Sequence, residues 1–223
     1  MIAAVQAGIP IARAELMDAA SIQAVNAYSS LDLAVAPTLL LELNGTSATV
    51  ASYAEQVTSL AADFQGTIGR WLASQEERDR LWQARHDTYY ALLRQHPGAE
   101  GWPTDVCVPI SRLAECIEAT LDDLRSCPLP VSLIGHVGDG NFHLLFPIDP
   151  SKPEQLEIAK HFNQRLIHRA LDMDGTCTGE HGVGCGKLEY MALEHGSATK
   201  VMQTIKQSLD PLGIMNPGKG WPT

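Results

Sequence analysis

Val131-Ser132-Leu133-Ile134-Gly135-His136-Val137-Gly138-Asp139-Gly140-Asn141-Phe142-His143-Leu144-Leu145-Phe146-Pro147-Ile148 decides the fold class. Two apolar runs, residues 131–136 and 142–148, flank a Gly-Asp-Gly-Asn turn, a pattern that predicts a β-hairpin. His136 and His143 stand seven positions apart with glycines, an Asp and an Asn between them. Such a segment can turn sharply enough to bring both imidazoles toward one point.

Upstream, strand and helix alternate. Residues 11–17 form a short apolar segment ending at Asp18, a helix N-cap for residues 19–28. Residues 38–43 predict a buried strand closed by Asn44-Gly45, and residues 47–64 a helix with Val50, Ala54, Val57, Leu60 and Ala61 on one face. This order is compatible with a ferredoxin-like half of an α+β domain. Residues 74–93 read as one long helix, followed by a Pro- and Gly-rich loop and a short strand over 105–109. Ser111 caps a helix to about residue 124, with Glu115 near capping-box spacing. Downstream of the hairpin, Pro153 opens a helix to about residue 173 and residues 175–186 form an irregular loop. Residues 187–209 are helical, and 216–220 form a coil tail.

A 223-residue chain with 45% hydrophobic content has ample material for a core. The net charge of −10, without a basic run interleaved with aromatics, argues against nucleic acid as partner. No stretch approaches the ~18 to 20 apolar residues of a membrane span. The five cysteines, an odd number with no CxxC pair, suggest free thiols in a reducing compartment. Together these features predict a soluble, cytoplasmic protein, with a peripheral position at the inner membrane as the alternative.

The chemistry-bearing residues cluster in two glycine-flanked segments: the hairpin turn, and Gly179-Glu180-His181-Gly182. Each histidine alone reads as a satisfied, half-buried residue of the hairpin; taken together, His136, His143 and Glu180 could complete a three-ligand set that leaves positions open, as a catalytic divalent ion requires, with His181 free to move protons beside it. Nucleotide motifs fail. Gly138-Asp139-Gly140 lacks the third glycine and sits in a hairpin, and Gly186-Lys187 is followed by Leu188 where a P-loop needs Ser or Thr. Glu180-His181 has no second histidine on a shared helical face, so the zincin patterns fail too. His96, His161, His168 and His195 suit solvated or capping roles. Arg85 is either solvated or, if turned inward, a bidentate partner for a carboxylate.

Three segments carry a family resemblance: residues 136–143, residues 175–184, and Asp210-Pro211-Leu212-Gly213-Ile214-Met215-Asn216-Pro217-Gly218-Lys219. Trp82-Gln83-Ala84-Arg85-His86 and Thr104-Asp105-Val106-Cys107-Val108-Pro109 support them. The chain resembles the C-terminal, substrate-binding half of FAD-linked oxidases of the vanillyl-alcohol oxidase superfamily. Its motifs are most similar to those of cytochrome-type D-lactate dehydrogenases, glycolate oxidase and D-2-hydroxyglutarate dehydrogenase.

The resemblance implies oxidation of a D-2-hydroxy acid to the 2-oxo acid, with electrons passing to FAD and on to a quinone, cytochrome or electron-transfer flavoprotein. It implies His136, His143 and Glu180 as ligands of zinc or manganese, His181 as the general base, and Arg85 and Asn141 at the substrate. Asn216 and Lys219 would lie near the flavin. The N-terminal FAD-binding domain of such proteins has no counterpart in residues 1–223, so the FAD domain would be met in cis or trans and this chain alone would be inactive. A non-catalytic metal- and carboxylate-binding subunit is the other function class. The expected architecture is α+β: an antiparallel sheet with helices on one face, ferredoxin-like. The site would lie on the open face, and that exposed apolar face would favour a homo-oligomer.

Overall fold

The computed structural model describes residues 1–220. In chain order the elements are α1 (Ile2–Gln6), β1 (Ile11–Met17), α2 (Ala19–Ser29), β2 (Thr38–Leu43), α3 (Ser47–Asp63), α4 (Gln75–His86) and α5 (Thr88–Arg94). Then come β3 (Glu100–Pro103), β4 (Val106–Cys107), α6 (Ile110–Leu124), β5 (Ser132–His136), β6 (Asn141–Ile148) and α7 (Pro153–Leu171). A 3-10 turn over Leu188–Tyr190 leads into α8 (Met191–His195) and α9 (Ala198–Leu209).

The hairpin β5–β6 is the centre of the molecule. Antiparallel pairing runs from Ser132 opposite Leu145 to His136 opposite Asn141. The other edge of β6 pairs with β3 and, nearer the turn, with β4, while β5 pairs with β1 and β1 with β2. The turn is tight: Gly140 has φ +81°, and a Cβ there would stand 2.0 Å from the Val108 carbonyl oxygen, so only glycine fits.

Strand alternation divides the core. Phe142, Leu144, Phe146 and Ile148 point to one face, against Leu113 and Cys116 of α6 and Ala159, Phe162, Leu166, Ile167 and Ala170 of α7. Each wholly buried Phe of this set contributes about 2–3 kcal/mol of transfer free energy. Asn141, His143 and Leu145 point to the opposite face. There Leu145, Met17 and Leu40 meet Ile22 and Val25 of α2, Ala84 of α4, and Ala91 and Leu92 of α5. The antiparallel α+β class is as expected, and helices also cover part of the second face. What the helices leave uncovered on that face is the end near the hairpin turn, where Glu15, His136 and His143 lie, Glu15 and His143 buried.

Local chemistry explains the elements and the departures from expectation. Asp18 caps α2 through Ser21 N–H at 2.8 Å, and its other oxygen accepts from Leu133 N–H, tying the cap to β5. Of β2 only Leu40 is buried, because the strand lies at the sheet edge. The helix expected over 74–93 breaks at Asp87 into α4 and α5. The Thr88 hydroxyl donates back to Arg85 O at 2.7 Å, competing with the helical ladder.

Ser111 does not cap α6, which follows Pro109 without a side-chain cap, and Glu115 instead pairs with Arg112 at 2.8 Å. The segment expected as loop contains β3, and the 105–109 strand shortens to two residues. The last helical region is interrupted at Gly196, whose φ of +50° ends α8. No helix among the described residues is long and apolar enough to cross a membrane.

Candidate metal and acid–base site

Three strands and one loop build the site. Glu15 of β1, His136 of β5 and His143 of β6 share the helix-free end of the second sheet face, and the loop over 175–187 brings Glu180 and His181 above them. Glu180 Oε1 lies 3.4 Å from His136 Nε2 and 3.0 Å from His143 Nε2. His181 stacks on His143 with ring centroids 4.9 Å apart, its Nε2 3.7 Å from the same Glu180 oxygen.

Both rings are tied back at Nδ1. His143 Nδ1 is 2.9 Å from Thr104 O, an obligate acceptor, so the proton sits on Nδ1 and Nε2 carries a lone pair. His136 Nδ1 is 3.0 Å from Glu15 Oε1, and Glu15 Oε2 accepts from Arg85 Nη2 at 2.9 Å. His143 Nε2 is buried without a hydrogen-bond partner. Its 3.0 Å approach to Glu180 is not aligned as a hydrogen bond, and the neutral ring has no proton there to give. A lone pair facing a carboxylate calls for a cation between them. Ion–ligand bonds of ~2.0–2.2 Å set two ligand atoms roughly 3.0–3.4 Å apart at right-angle to tetrahedral geometry. The observed separations fit one divalent ion on His136, His143 and Glu180.

The electrostatics of the two rings differ. Burial pushes the His143 pKa down, outweighing the Thr104 carbonyl and the nearby Asp105 and Glu180 carboxylates, so the ring is held neutral as a ligand must be. The Glu15 hydrogen bond raises the pKa of His136 against an opposing effect of burial. Burial opposes ionisation of Glu15, but His136 and Arg85 outweigh it and lower its pKa.

Asp105, His143 and His181 form a second group of ligand-type atoms. Asp105, however, is already spent. Its carboxylate accepts from Asn141 Nδ2 (2.8 Å), Thr178 Oγ1 (2.7 Å), His181 N–H (2.9 Å), Glu180 N–H (3.2 Å) and Lys187 Nζ (3.3 Å). Burial opposes its ionisation, yet these donors hold its pKa far below the usual carboxylate range. It is the peg on which the loop hangs. Gly179 is part of the fit, since a Cβ would stand 2.1 Å from Asn141 Nδ2.

Of the residues singled out in the sequence, His136, His143, Glu180 and His181 come together. Arg85 is drawn into the pair with Glu15 and is 12% exposed. Asn141 turns inward to Asp105 and Val106 O, leaving its Oδ1 unpartnered. Asn216 and Lys219 are exposed in the coil tail, which Gly220 N–H stitches to Gly184 O at 2.8 Å. Cys177 and Cys185 are free thiols.

Glu15, Thr104, Asp105 and Lys187 were not anticipated. Glu15 had a faint signal as the acidic residue of an otherwise largely apolar strand. An open groove of about 620 Å³ beside α6 and α7 lies away from this chemistry, and its Arg112, Arg165 and Arg169 are paired with Glu115 and Asp123. The apolar exposure expected on the open sheet face lies elsewhere. Val201, Ile205 and Leu209 line one side of α9, which buries no residue, and Leu212, Ile214 and Met215 follow it.

Comparison with known proteins agrees with this architecture. The family model for FAD linked oxidases, C-terminal domain, matches residues 1–220. "Probable D-lactate dehydrogenase, mitochondrial" of Danio rerio is 46% identical, over 96% of this chain and 43% of its own length. "D-lactate dehydrogenase (cytochrome), mitochondrial" of Arabidopsis thaliana is 42% identical, over 98% and 39%. Glycolate oxidase subunit GlcD of Escherichia coli K12 is 28% identical, over 94% and 42%. The chain thus spans less than half the length of these relatives. The solved 4-ethylphenol oxidase of Gulosibacter chungangensis superposes with a TM-score of 0.65 at 16% identity, over 94% of this chain and 48% of that one, and so shares the fold. With the family model matched over almost its whole length, the chain belongs to the FAD linked oxidase C-terminal domain family.

Proposed function

We propose that this chain is the substrate- and metal-binding part of an FAD-dependent D-2-hydroxy-acid dehydrogenase of the D-lactate or glycolate type. The observation that carries this is the convergence of His136 Nε2, His143 Nε2 and Glu180 Oε1, with His143 Nε2 buried and unpartnered. When bound, a zinc or manganese ion supplies Lewis-acid charge that acidifies a substrate hydroxyl, and FAD supplies the two-electron acceptor. This chain's residues do the rest. His181, stacked on the ligand His143 and partly exposed, takes the hydroxyl proton at Nε2. Arg85, through the part of its guanidinium not given to Glu15, and Asn141, beside the loop that carries Glu180 and His181, hold the substrate. Asn216 and Lys219 approach the flavin from the tail.

The further length of the named relatives is assigned to an FAD domain, which this chain meets in cis or trans and needs for turnover. A quinone, a cytochrome or an electron-transfer flavoprotein is the onward acceptor. Four of the D-lactate dehydrogenase relatives are named as mitochondrial proteins, which weighs against the cytoplasmic placement and leaves peripheral attachment to an inner membrane as the fitting alternative.

Mixing the chain with an FAD domain from a D-lactate dehydrogenase and screening D-lactate, glycolate and D-2-hydroxyglutarate with a dye acceptor is the test. Turnover of at least one D-2-hydroxy acid, abolished by His181→Ala, is expected; none with a flavin-loaded complex would end the proposal. Self-association, if the isolated chain shows it, belongs to the apolar side of α9. Sedimentation should give a species larger than the monomer for the wild type and a monomer for Ile205→Glu, and identical profiles would remove α9 as the contact.

A further inference from the structure

We propose that Glu15 and Arg85 form a positioning clamp that fixes the tautomer and orientation of His136, so that Arg85 acts on the cluster through Glu15. The inference deepens the ion-site proposal and rests on it for the metal part alone. Glu15 is 7% exposed on a strand, where an unpaired carboxylate would cost several kcal/mol. Both its oxygens are used, Oε1 on His136 Nδ1 at 3.0 Å and Oε2 on Arg85 Nη2 at 2.9 Å.

The guanidinium keeps the carboxylate ionised, and an ionised carboxylate only accepts. His136 Nδ1 must therefore carry a proton, and the lone pair of the neutral ring is left on Nε2, facing Glu180. The two histidines reach the same state by different devices. Buried His143 is fixed by a backbone carbonyl, whereas half-exposed His136, with 35% of its side chain open, has a charged side chain holding it. A carboxylate on the far nitrogen also raises the basicity of the ligating one.

The clamp lies beside the helix break at Asp87. Arg85 lies in the last turn of α4, directly before the bend, and its carbonyl accepts the Thr88 hydroxyl that marks it. Its Nε is buried without a partner, a cost accepted where Nη2 meets Glu15.

Two variants of the full chain test the clamp. Glu15→Gln keeps the shape but offers one acceptor to two claimants. The guanidinium takes the amide oxygen, the amide NH2 turns to His136 Nδ1, and the ring proton is forced onto Nε2. Glu15→Leu with Arg85→Met replaces the ion pair by apolar groups and guards against misfolding from a lone buried charge.

Long-range 1H–15N spectra of metal-free protein, recorded above the titration of the ring and assigned with His136→Ala, report the tautomer. The wild type should show Nδ1–H, Glu15→Gln a shift to Nε2–H, and the double variant a mixture. Zinc affinity, measured by chelator competition, should fall about 10- to 100-fold in both, and the loss should vanish in a His136→Ala background. An unchanged tautomer in Glu15→Gln, or an equal loss of affinity without His136, overturns the clamp. If the wild type takes up no zinc, the ion-site proposal falls, while the tautomer comparison still decides the clamp.

Discussion

His143→Ala should abolish stabilisation by zinc or manganese, where the wild type should gain about 2.7 kcal/mol at free ion a hundredfold above its dissociation constant. His143 is the buried member of the proposed three-ligand set, and its ring is oriented without any ion because Nδ1–H donates to Thr104 O. Removing a direct ligand must cost more than the roughly 10- to 100-fold loss typical of an outer hydrogen-bond partner. Thermal melts with chelator and with excess ion measure the difference, and metal analysis counts the ions. His161→Ala, on an exposed position of α7, should behave as wild type. Equal metal content and equal stabilisation in wild type and His143→Ala would remove the ligand assignment.

Asp105→Ala is expected to cost about 3–5 kcal/mol, the range for breaking a buried ion pair by removing one partner. It strips acceptors from Asn141, Thr178, Glu180 N–H, His181 N–H and Lys187 at once, and Lys187 is left largely buried without its countercharge. Asp105→Asn, which keeps one acceptor oxygen, should cost about 1.5–3 kcal/mol. Urea denaturation gives these values. The loop should also loosen before the sheet does, so trypsin should cut after Lys187 in Asp105→Ala under conditions where the wild type is intact. A wild-type urea midpoint and digestion pattern would contradict the role given to Asp105.

What the sequence made legible was local. The β5–β6 hairpin, the Asp18 cap and the assembly of two histidines by a glycine-rich turn follow from patterns spanning a few residues. Glu15 was out of reach because its partners are 70 and 121 positions away and meet it only through sheet register and helix packing. Asp105 was hidden for the same reason, as its donors come from β6 and from a loop without periodicity. The break at Asp87 depends on one hydroxyl choosing a carbonyl. The apolar spacing of Val201, Ile205 and Leu209 is that of a buried helix face, yet among the described residues nothing covers it.

The pairing of β6 on both edges also sets how fast the cluster can come apart. His143 lies on a strand hydrogen-bonded to β5 on one side and to β3 and β4 on the other, so its amide neighbours should exchange with solvent only when the whole sheet opens. Glu180 and His181 hang from Asp105 on a loop outside the sheet, which should open before the strands separate. An ion held between them would therefore leave at the rate of loop opening, long before the sheet yields, and its residence time would report on that single carboxylate.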